Sequence, residues 1–303
     1  MIVGIGETVI DILFQGNQPM AAVPGGSCFN SLISVGRTHT PCCFVGYAGN
    51  DRIGHQVQDF LRTNHVDTSC FELRGDEKSA ISLAHLDERG DAHYTFYKNP
   101  PRAHLEAPLP LLKADDVLMM SSFYAVCTGV HEQITTLLDE AREADAIVYY
   151  DLNFRMPHRS ELPTLLPIIE SNFRACTVVR GSTEDLDVIY GHHDAPTIYR
   201  QHIQPLCPYF ICTAAADDVT LCTPTAIYTF PTPQLDHVVS TVGAGDSFNA
   251  GFCYALLHQG VRKADLAQLS FEQWQRLVDV AIRFAGQVCQ TTENYIDPLL
   301  LPL

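Results

Sequence analysis

The sequence predicts an α/β fold, a parallel sheet flanked by helices with a small β lid, and three observations carry that prediction. Short apolar runs alternate with segments whose apolar residues recur at helical spacing, the pattern of strands covered by helices. Polar residues and glycines stand directly after the runs, at the strand carboxyl ends where open α/β sheets bind ligands. One pair of alternating segments, 79–86 and 92–97, breaks the rhythm, and Asp87-Glu88-Arg89-Gly90-Asp91 between them reads as a β-hairpin turn. At about 150 residues per domain, 303 residues make two domains or one large α/β domain with an insertion.

In chain order, Ile2, Val3 and Ile5 form a buried-strand run, followed by the acids Glu7 and Asp11. Segment 9–14 is expected to run from the core sheet toward the lid. Pro24-Gly25-Gly26-Ser27 is a turn, and Phe29, Leu32, Ile33 and Gly36 behind it have helical spacing. The run 42–47 is a second strand, ending at Gly49-Asn50-Asp51; Ile53, Val57, Phe60 and Leu61 mark the helix after it. The hairpin, a candidate lid, comes next. Strands at 146–150, 176–179 and 209–213 end in Asp151-Leu152-Asn153-Phe154-Arg155, Arg180-Gly181-Ser182-Thr183-Glu184-Asp185 and Ala214-Ala215-Ala216-Asp217-Asp218. Phe248, Phe252, Ala255 and Leu256 mark a helix beginning at about Asp246. There is no internal repeat or long linker.

Composition narrows the function classes. Apolar residues at 46% and charged residues at 18% exclude a disordered or collagen-like chain. A formal charge of -16, with only Lys78, Lys98, Lys113 and Lys263 as lysines, speaks against nucleic-acid or membrane binding by bulk charge. The amino terminus has no secretion-signal pattern, and no apolar stretch is long enough to span a membrane. The eleven cysteines include no C-x-x-C pair and several sit in apolar runs, so they read as reduced core thiols of a cytoplasmic protein. His192-His193 reads as a surface loop rather than a metal site.

The strongest chemical signal is Ser240-Thr241-Val242-Gly243-Ala244-Gly245-Asp246-Ser247-Phe248. A glycine-rich turn entering a helix presents bare amides and the positive end of the helix dipole to an anion. The plainer reading makes Asp246 an N-cap.

Gly243-Ala244-Gly245-Asp246-Ser247-Phe248 resembles the carboxy-terminal signature of the ribokinase-like (PfkB) carbohydrate kinases. Pro24-Gly25-Gly26-Ser27-Cys28-Phe29-Asn30, followed by Val45-Gly46-Tyr47-Ala48-Gly49-Asn50-Asp51-Arg52-Ile53-Gly54, resembles the amino-terminal one. Gly6-Glu7, Asp11, Tyr97-Lys98-Asn99-Pro100, the 151–155 segment and Ser182-Thr183-Glu184-Asp185 fall in family order between them, so the resemblance covers nearly the whole chain. It is strongest to bacterial fructokinases, with 2-keto-3-deoxygluconate kinases close behind.

The resemblance implies a doubly wound, mostly parallel sheet, with ATP and Mg²⁺ as cofactors and a small-molecule sugar as acceptor. Asp246 matches the catalytic base that takes a proton from the sugar hydroxyl, a weak base where positioning matters more than strength. Gly243, Ala244 and Gly245 match the amides that stabilise the transferred phosphoryl group. Asp11, Gly25, Gly26 and Asn30 match sugar-binding positions, and Lys98, Asp151, Asn153 and Arg155 are further candidate substrate contacts. Ser182, Thr213, Ala215, Asp218, Thr241, Gly243, Gly245 and Gly286 fall on the nucleotide side. Glu184 and Asp185 lie where the family organises Mg²⁺ through water, although Ser182 and Asp185 equally make a capping box.

Three departures stand out. Ser240 replaces the usual Asp before Thr241, which weakens the case for a monovalent cation. The 213–218 turn lacks both glycines of the family loop; Ala215 is harmless there at negative φ, and a positive φ would demand a rebuilt loop. Gly286-Gln287 lies where an adenine-side Asn is common.

Rival classes fail on residues. Val3-Gly4-Ile5-Gly6-Glu7-Thr8-Val9 lacks the third glycine of a dinucleotide turn, no lysine follows a glycine as in a Walker loop, and no G-x-S-x-G occurs. The remaining rival is a catalytically poor sugar- or nucleotide-binding relative. The expectation is an ATP-dependent sugar kinase acting on fructose, with 2-keto-3-deoxygluconate kinase and ribokinase-type activities as alternatives. Residues 1–12, 26–78 and 99–303 are expected to form the core and 13–25 and 79–98 the lid, whose outer edge would be covered in a homodimer.

Overall fold

The computed structural model describes residues 1–86, 92–98, 107–297 and 299. Its strands are β1 (Ile2–Ile5), β2 (Val9–Gln15), β3 (Gln18–Gly25), β4 (Cys42–Gly49), β5 (Phe71–Arg74), β6 (Ile81–Leu86), β7 (Ala92–Tyr97), β8 (Val117–Ser121), β9 (Ile147–Asp151), β10 (Val178–Ser182), β11 (Tyr209–Thr213), β12 (Val219–Cys222) and β13 (Ile227–Phe230). Its helices are α1 (Ser27–Arg37), α2 (Arg52–Thr63), α3 (His131–Glu143), α4 (Leu162–Ala175), α5 (Thr183–Tyr190), α6 (Ala195–Ile198), α7 (Ala244–His258) and α8 (Phe271–Val288), with short 3-10 and π turns between some of them.

The larger sheet has nine strands in the order β13-β12-β11-β10-β9-β8-β1-β4-β5. From β11 to β5 the strands are parallel, and β12 and β13 add an antiparallel edge. The chain builds from β1 toward β4 and β5, then returns to build β8 to β11 on the other side. Between β1 and β8 the winding reverses, and the crevice beyond the strand carboxyl ends at such a point is where doubly wound sheets bind ligands.

Both faces of this sheet are buried, which explains the unbroken apolar runs. Ile2, Tyr149 and Val178 point into one core, with Leu32 of α1, Leu61 of α2, Phe252 of α7 and Trp274 of α8. Their neighbours Val3, Tyr150 and Val179 point into the other, with Leu137 of α3, Phe173 of α4 and Leu186 of α5. None of the eleven cysteines is in a disulfide, and all but Cys127 and Cys289 are buried. Among the described residues no helix is long and apolar enough to cross a membrane.

The second sheet has four strands, β3-β2-β6-β7, with β2 and β6 parallel and hairpins at both sides. The expected hairpin is β6–β7; residues 87–91, read as its turn, lie outside the described residues. Residues 9–12, assigned from sequence to the core, stand in this smaller sheet. Ile10 and Ile12 bury their side chains against the main core, so the apolar pattern is that of a core strand, while the backbone pairs with β3 and β6.

Candidate active site

The amino terminus of α7 is set by Gly243, which takes a left-handed φ of 81° as N-cap without a capping side chain. A Cβ there would also lie 2.7 Å from the Asn294 carbonyl oxygen. The helix begins at Ala244, earlier than the expected start at Asp246. Asp246 is therefore inside the first turn, and the N-cap reading of it does not hold. The Ala244 amide donates to the Thr241 carbonyl at 3.3 Å, which ties up one of the three amides expected to face an anion. Among the described residues the Gly243 and Gly245 N–H groups have no acceptor, as first-turn donors commonly do not. A Cβ on Gly245 would come within 3.2 Å of the Arg180 guanidinium, which packs directly beneath the turn.

Asp246 is half-buried, and both its oxygens are held from α1: Oδ1 accepts from the Ser27 hydroxyl at 2.7 Å and Oδ2 from the Asn30 amide at 2.8 Å. Its backbone carbonyl accepts from the Ser31 hydroxyl at 2.8 Å. Burial pushes the Asp246 carboxyl up to about 6; the Ser27 and Asn30 hydrogen bonds and the Arg155 charge pull it down, and the Asp151 charge adds to the rise. A helix terminus alone makes a carboxylate a weak base. Desolvation reverses that expectation.

The adjoining wall comes from the β3–α1 turn and the small sheet. Gly26, with φ 131°, caps α1, and a Cβ there would collide with the Glu7 carbonyl. Asp11 accepts from the Ser82 hydroxyl, and a Cβ on Gly25 would stand 2.5 Å from its other oxygen, so this glycine leaves space for the carboxylate. Burial raises the Asp11 carboxyl above the usual range. Asp11 is in register with Ser82, and Ser82 with Phe96, so all three side chains share one face; Phe96 is 53% exposed. The Asn30 Oδ1 is buried with no donor. Lys98 pairs with Glu7 at 2.6 Å, joining the end of the lid to the exit of β1, while Asn99 and Pro100 lie outside the described residues.

Asp151, expected to touch substrate, is 1% exposed and has both oxygens engaged: Oδ1 with Arg180 at 2.9 Å and Oδ2 with the Asn249 amide at 2.8 Å. It sits behind the cleft wall, holding Arg180 in place. Arg180, itself 5% exposed, also donates to the Thr213 hydroxyl at 2.5 Å, and its Nε is without a partner. Asn153 adopts φ 37° and its amide donates to the Ser122 carbonyl at 3.0 Å, so it shapes the turn. Arg155 is exposed and pairs with Glu184 at 3.2 Å.

Ser182 and Asp185 form the capping box of α5. Asp185 Oδ2 accepts from the Ser182 amide at 2.7 Å and its hydroxyl at 2.8 Å, and Oδ1 accepts from the Phe154 amide at 2.8 Å. At 1% exposure it offers no oxygen to a hydrated metal, so its half of the expected Mg²⁺ site does not fit. Glu184, with its side chain 80% exposed, does fit. Among the described residues no three His, Cys, Asp or Glu side chains converge as a ready-made metal site.

Among the positions expected to face the nucleotide, Ala215 has φ 46°, the left-handed conformation in which alanine is strained, and not the negative φ that would make the replacement harmless. Asp218 and Thr241 are exposed. Gly286 has only the tip of Leu235 near the place of a Cβ, at 3.6 Å, while Gln287 turns to accept from the Asp297 amide at 3.1 Å.

Comparison with known proteins decides the family. A model of the pfkB family carbohydrate kinases matches residues 2–298. This chain belongs to that family. Its relatives include the aminoimidazole riboside kinase of Salmonella typhimurium, 25% identical over 83% of this chain and 79% of that protein. Probable fructokinase-2 of Arabidopsis thaliana is 26% identical over 99% of this chain and 92% of that protein. The crystal structure of a fructokinase with bound ATP from Xylella fastidiosa superimposes with a TM-score of 0.83 at 25% identity, covering 97% of this chain and 94% of that one. The protein is thus a pfkB-family sugar kinase, a phosphotransferase with an alcohol group as acceptor.

Several residues of the candidate site carry no clear signal in the sequence. Ser27 and Ser31 lie within or beside the quoted motif, but which hydroxyls face Asp246 depends on how α1 meets α7. Ser82 and Phe96 face Asp11 only through strand register. Arg180 carried a usable signal, a cation at a strand carboxyl end, yet its burial beneath Gly245 did not show.

Proposed function

We propose that this kinase transfers the γ-phosphate of ATP to a hydroxyl of a ketohexose, with fructose as the substrate. The observation that carries the reading is the Asp246 carboxylate, half-buried at the amino terminus of α7 and gripped by Ser27 and Asn30. In its ionised form it would accept the proton of the attacking hydroxyl, held in one orientation by two hydrogen bonds. The phosphoryl group would lie against the Gly243 and Gly245 amides, donors set for charge that grows in the transition state. Asp11 and the open acceptor on Asn30 would take sugar hydroxyls, and Arg155 would meet the nucleotide or the transferred group.

The residues fit an ATP complex: a cradle at Gly243 that no side chain can fill, and free donors lining it. Mg²⁺ supplies charge neutralisation of the β- and γ-phosphates when it is bound with ATP. Glu184 would hold its water shell. The four-stranded sheet would close over the sugar and exclude water, with β2 included whole. Its β3 edge, with residues 18–22 exposed, fits a second copy of this chain laid against it. Unpaired cysteines throughout the core support a cytoplasmic location.

A second acceptor, aminoimidazole riboside, is favoured by the Salmonella relative and by Phe96, an aromatic surface on the Asp11 face. The test is ATP turnover with fructose, ribose, 2-keto-3-deoxygluconate and aminoimidazole riboside. Fructose should give the highest kcat/KM. A preference for another member reassigns the acceptor, and no turnover with any member makes the chain the catalytically poor relative.

A further inference from the structure

We propose that Tyr295 is a positioning residue that couples the sugar side of the site to the phosphate side. The inference rests on the kinase reading above. Segment 293–297 runs as a strap between the two glycine turns of the site, and two consecutive residues touch one turn each. The Tyr295 hydroxyl donates to the Pro24 carbonyl, immediately before Gly25 and Gly26. The Asn294 backbone packs on Gly243, where an added Cβ would lie 2.7 Å from its carbonyl oxygen and 2.9 Å from its Cα.

The strap has little slack. Arg37 of α1 donates to the Ile296 carbonyl at 2.9 Å and pairs with Glu293 at 2.6 Å. The Ile296 amide donates to the Ser34 hydroxyl at 3.4 Å, and Gln287 of α8 holds the Asp297 backbone. The Tyr295 ring is buried, with the Arg37 guanidinium 5.2 Å from its centroid on one side and Phe60 at 5.5 Å. A close-packed segment anchored at both ends transmits a displacement instead of absorbing it. When sugar draws the Pro24-Gly25-Gly26 turn inward, Tyr295 carries the shift to Asn294, and Asn294 fixes the Gly243 turn that receives phosphate.

A direct α1–α7 link also exists through Asp246, but that carboxylate must exchange hydrogen bonds when a hydroxyl approaches. No group of the strap takes part in the transfer on this reading, so its contacts need not change during the reaction. Sugar and nucleotide therefore strengthen each other's binding by the same factor, and that factor passes through one phenolic hydroxyl.

The measurement is the Kd of a non-hydrolysable ATP analogue, by calorimetry, without and with saturating fructose or whichever panel member the parent phosphorylates. The parent should show tightening of about fivefold or more. Tyr295→Phe should reduce that ratio to less than about twofold while keeping the ring and its packing. Tyr199→Phe is the matched control: this hydroxyl also donates to a proline carbonyl, Pro208 at 2.6 Å, in a buried position before β11. It should lose comparable thermal stability and keep the parental ratio. An unchanged ratio in Tyr295→Phe, an equal loss in Tyr199→Phe, or a parent that turns over sugar without coupling overturns this inference alone. A parent without turnover overturns the kinase reading and the inference together.

Discussion

Two helices of this protein begin with an aspartate in the third position, and the two carboxylates do different things. In α5 the N-cap is Ser182, and Asp185 turns back onto the Ser182 amide and hydroxyl, closing a capping box. In α7 the N-cap is Gly243, with no hydroxyl to offer, and Asp246 reaches across to Ser27 and Asn30 of α1. Burial raises the carboxyl pKa at both places. The difference lies in the partners: in α5 the cap residue takes one carboxylate oxygen and the Phe154 amide the other, which seals the group in, and in α7 the glycine cap leaves both oxygens to side chains of a neighbouring helix.

The largest expected effect tests that contrast directly. Asp246→Asn should lower kcat by about a thousandfold, within the range for losing a positioned general base, and leave sugar affinity within a few-fold. Asp185→Asn should keep kcat within about tenfold and instead destabilise the fold by about 1–3 kcal/mol, since a buried donor loses its partner. The comparison breaks if Asp185→Asn abolishes turnover at unchanged melting temperature. Next in size, Gly243→Ala introduces both a strained φ and a clash with Asn294, and should cost about a hundredfold in kcat, the scale of one lost transition-state donor. A Gly243→Ala enzyme of parental kcat would show that the cradle is not used.

The pH dependence sharpens the same point. A base that titrates near 6 should make kcat/KM rise with pH and level off above it, and a profile flat from about one pH unit below that value to about one above would remove Asp246 from that role. The stability sign is opposite. A carboxyl whose folded pKa is raised holds its proton more tightly when folded, so its contribution to stability is present below the unfolded value of 3.8 and lost as pH rises through about 6. Asp246→Asn should accordingly melt higher than the parent at pH 8, with the gap shrinking at pH values near 4 and below. The smallest effect belongs to the 213–218 turn, where Ala215 takes the conformation that Gly243 takes with glycine. Ala215→Gly should relieve about 1 kcal/mol of strain, raising Tm by roughly 1–2 °C with kcat unchanged. A lower Tm would mean that the turn is unstrained.

Much of the fold was legible because each strand and helix is written in neighbouring residues. The runs at Ile2, Cys42, Ala146 and Tyr209 are apolar on both sides, as strands buried on two faces must be, and the 79–97 hairpin announced itself by alternation. Ser182 and Asp185 could be read as a cap because the contact spans three residues. The 9–12 segment reads as core and pairs in the smaller sheet for an equally clear reason: apolar alternation reports which side is buried and is silent about which strand takes the hydrogen bonds.

By itself, the sequence determined the alternation of elements, the glycine turn before Asp246 and the positions of Asp11, Asn30 and Asp246 along the chain. Only the tertiary structure decided that Ser27 and Asn30 hold a carboxylate 219 and 216 residues away, that Asp151 is sealed behind Arg180, and that Ala215 adopts φ 46°. Local spacing encodes what a backbone can adopt within a few residues. Which polar group is desolvated, and by whom, is settled when distant helices pack, and that packing raised Asp246 to about 6.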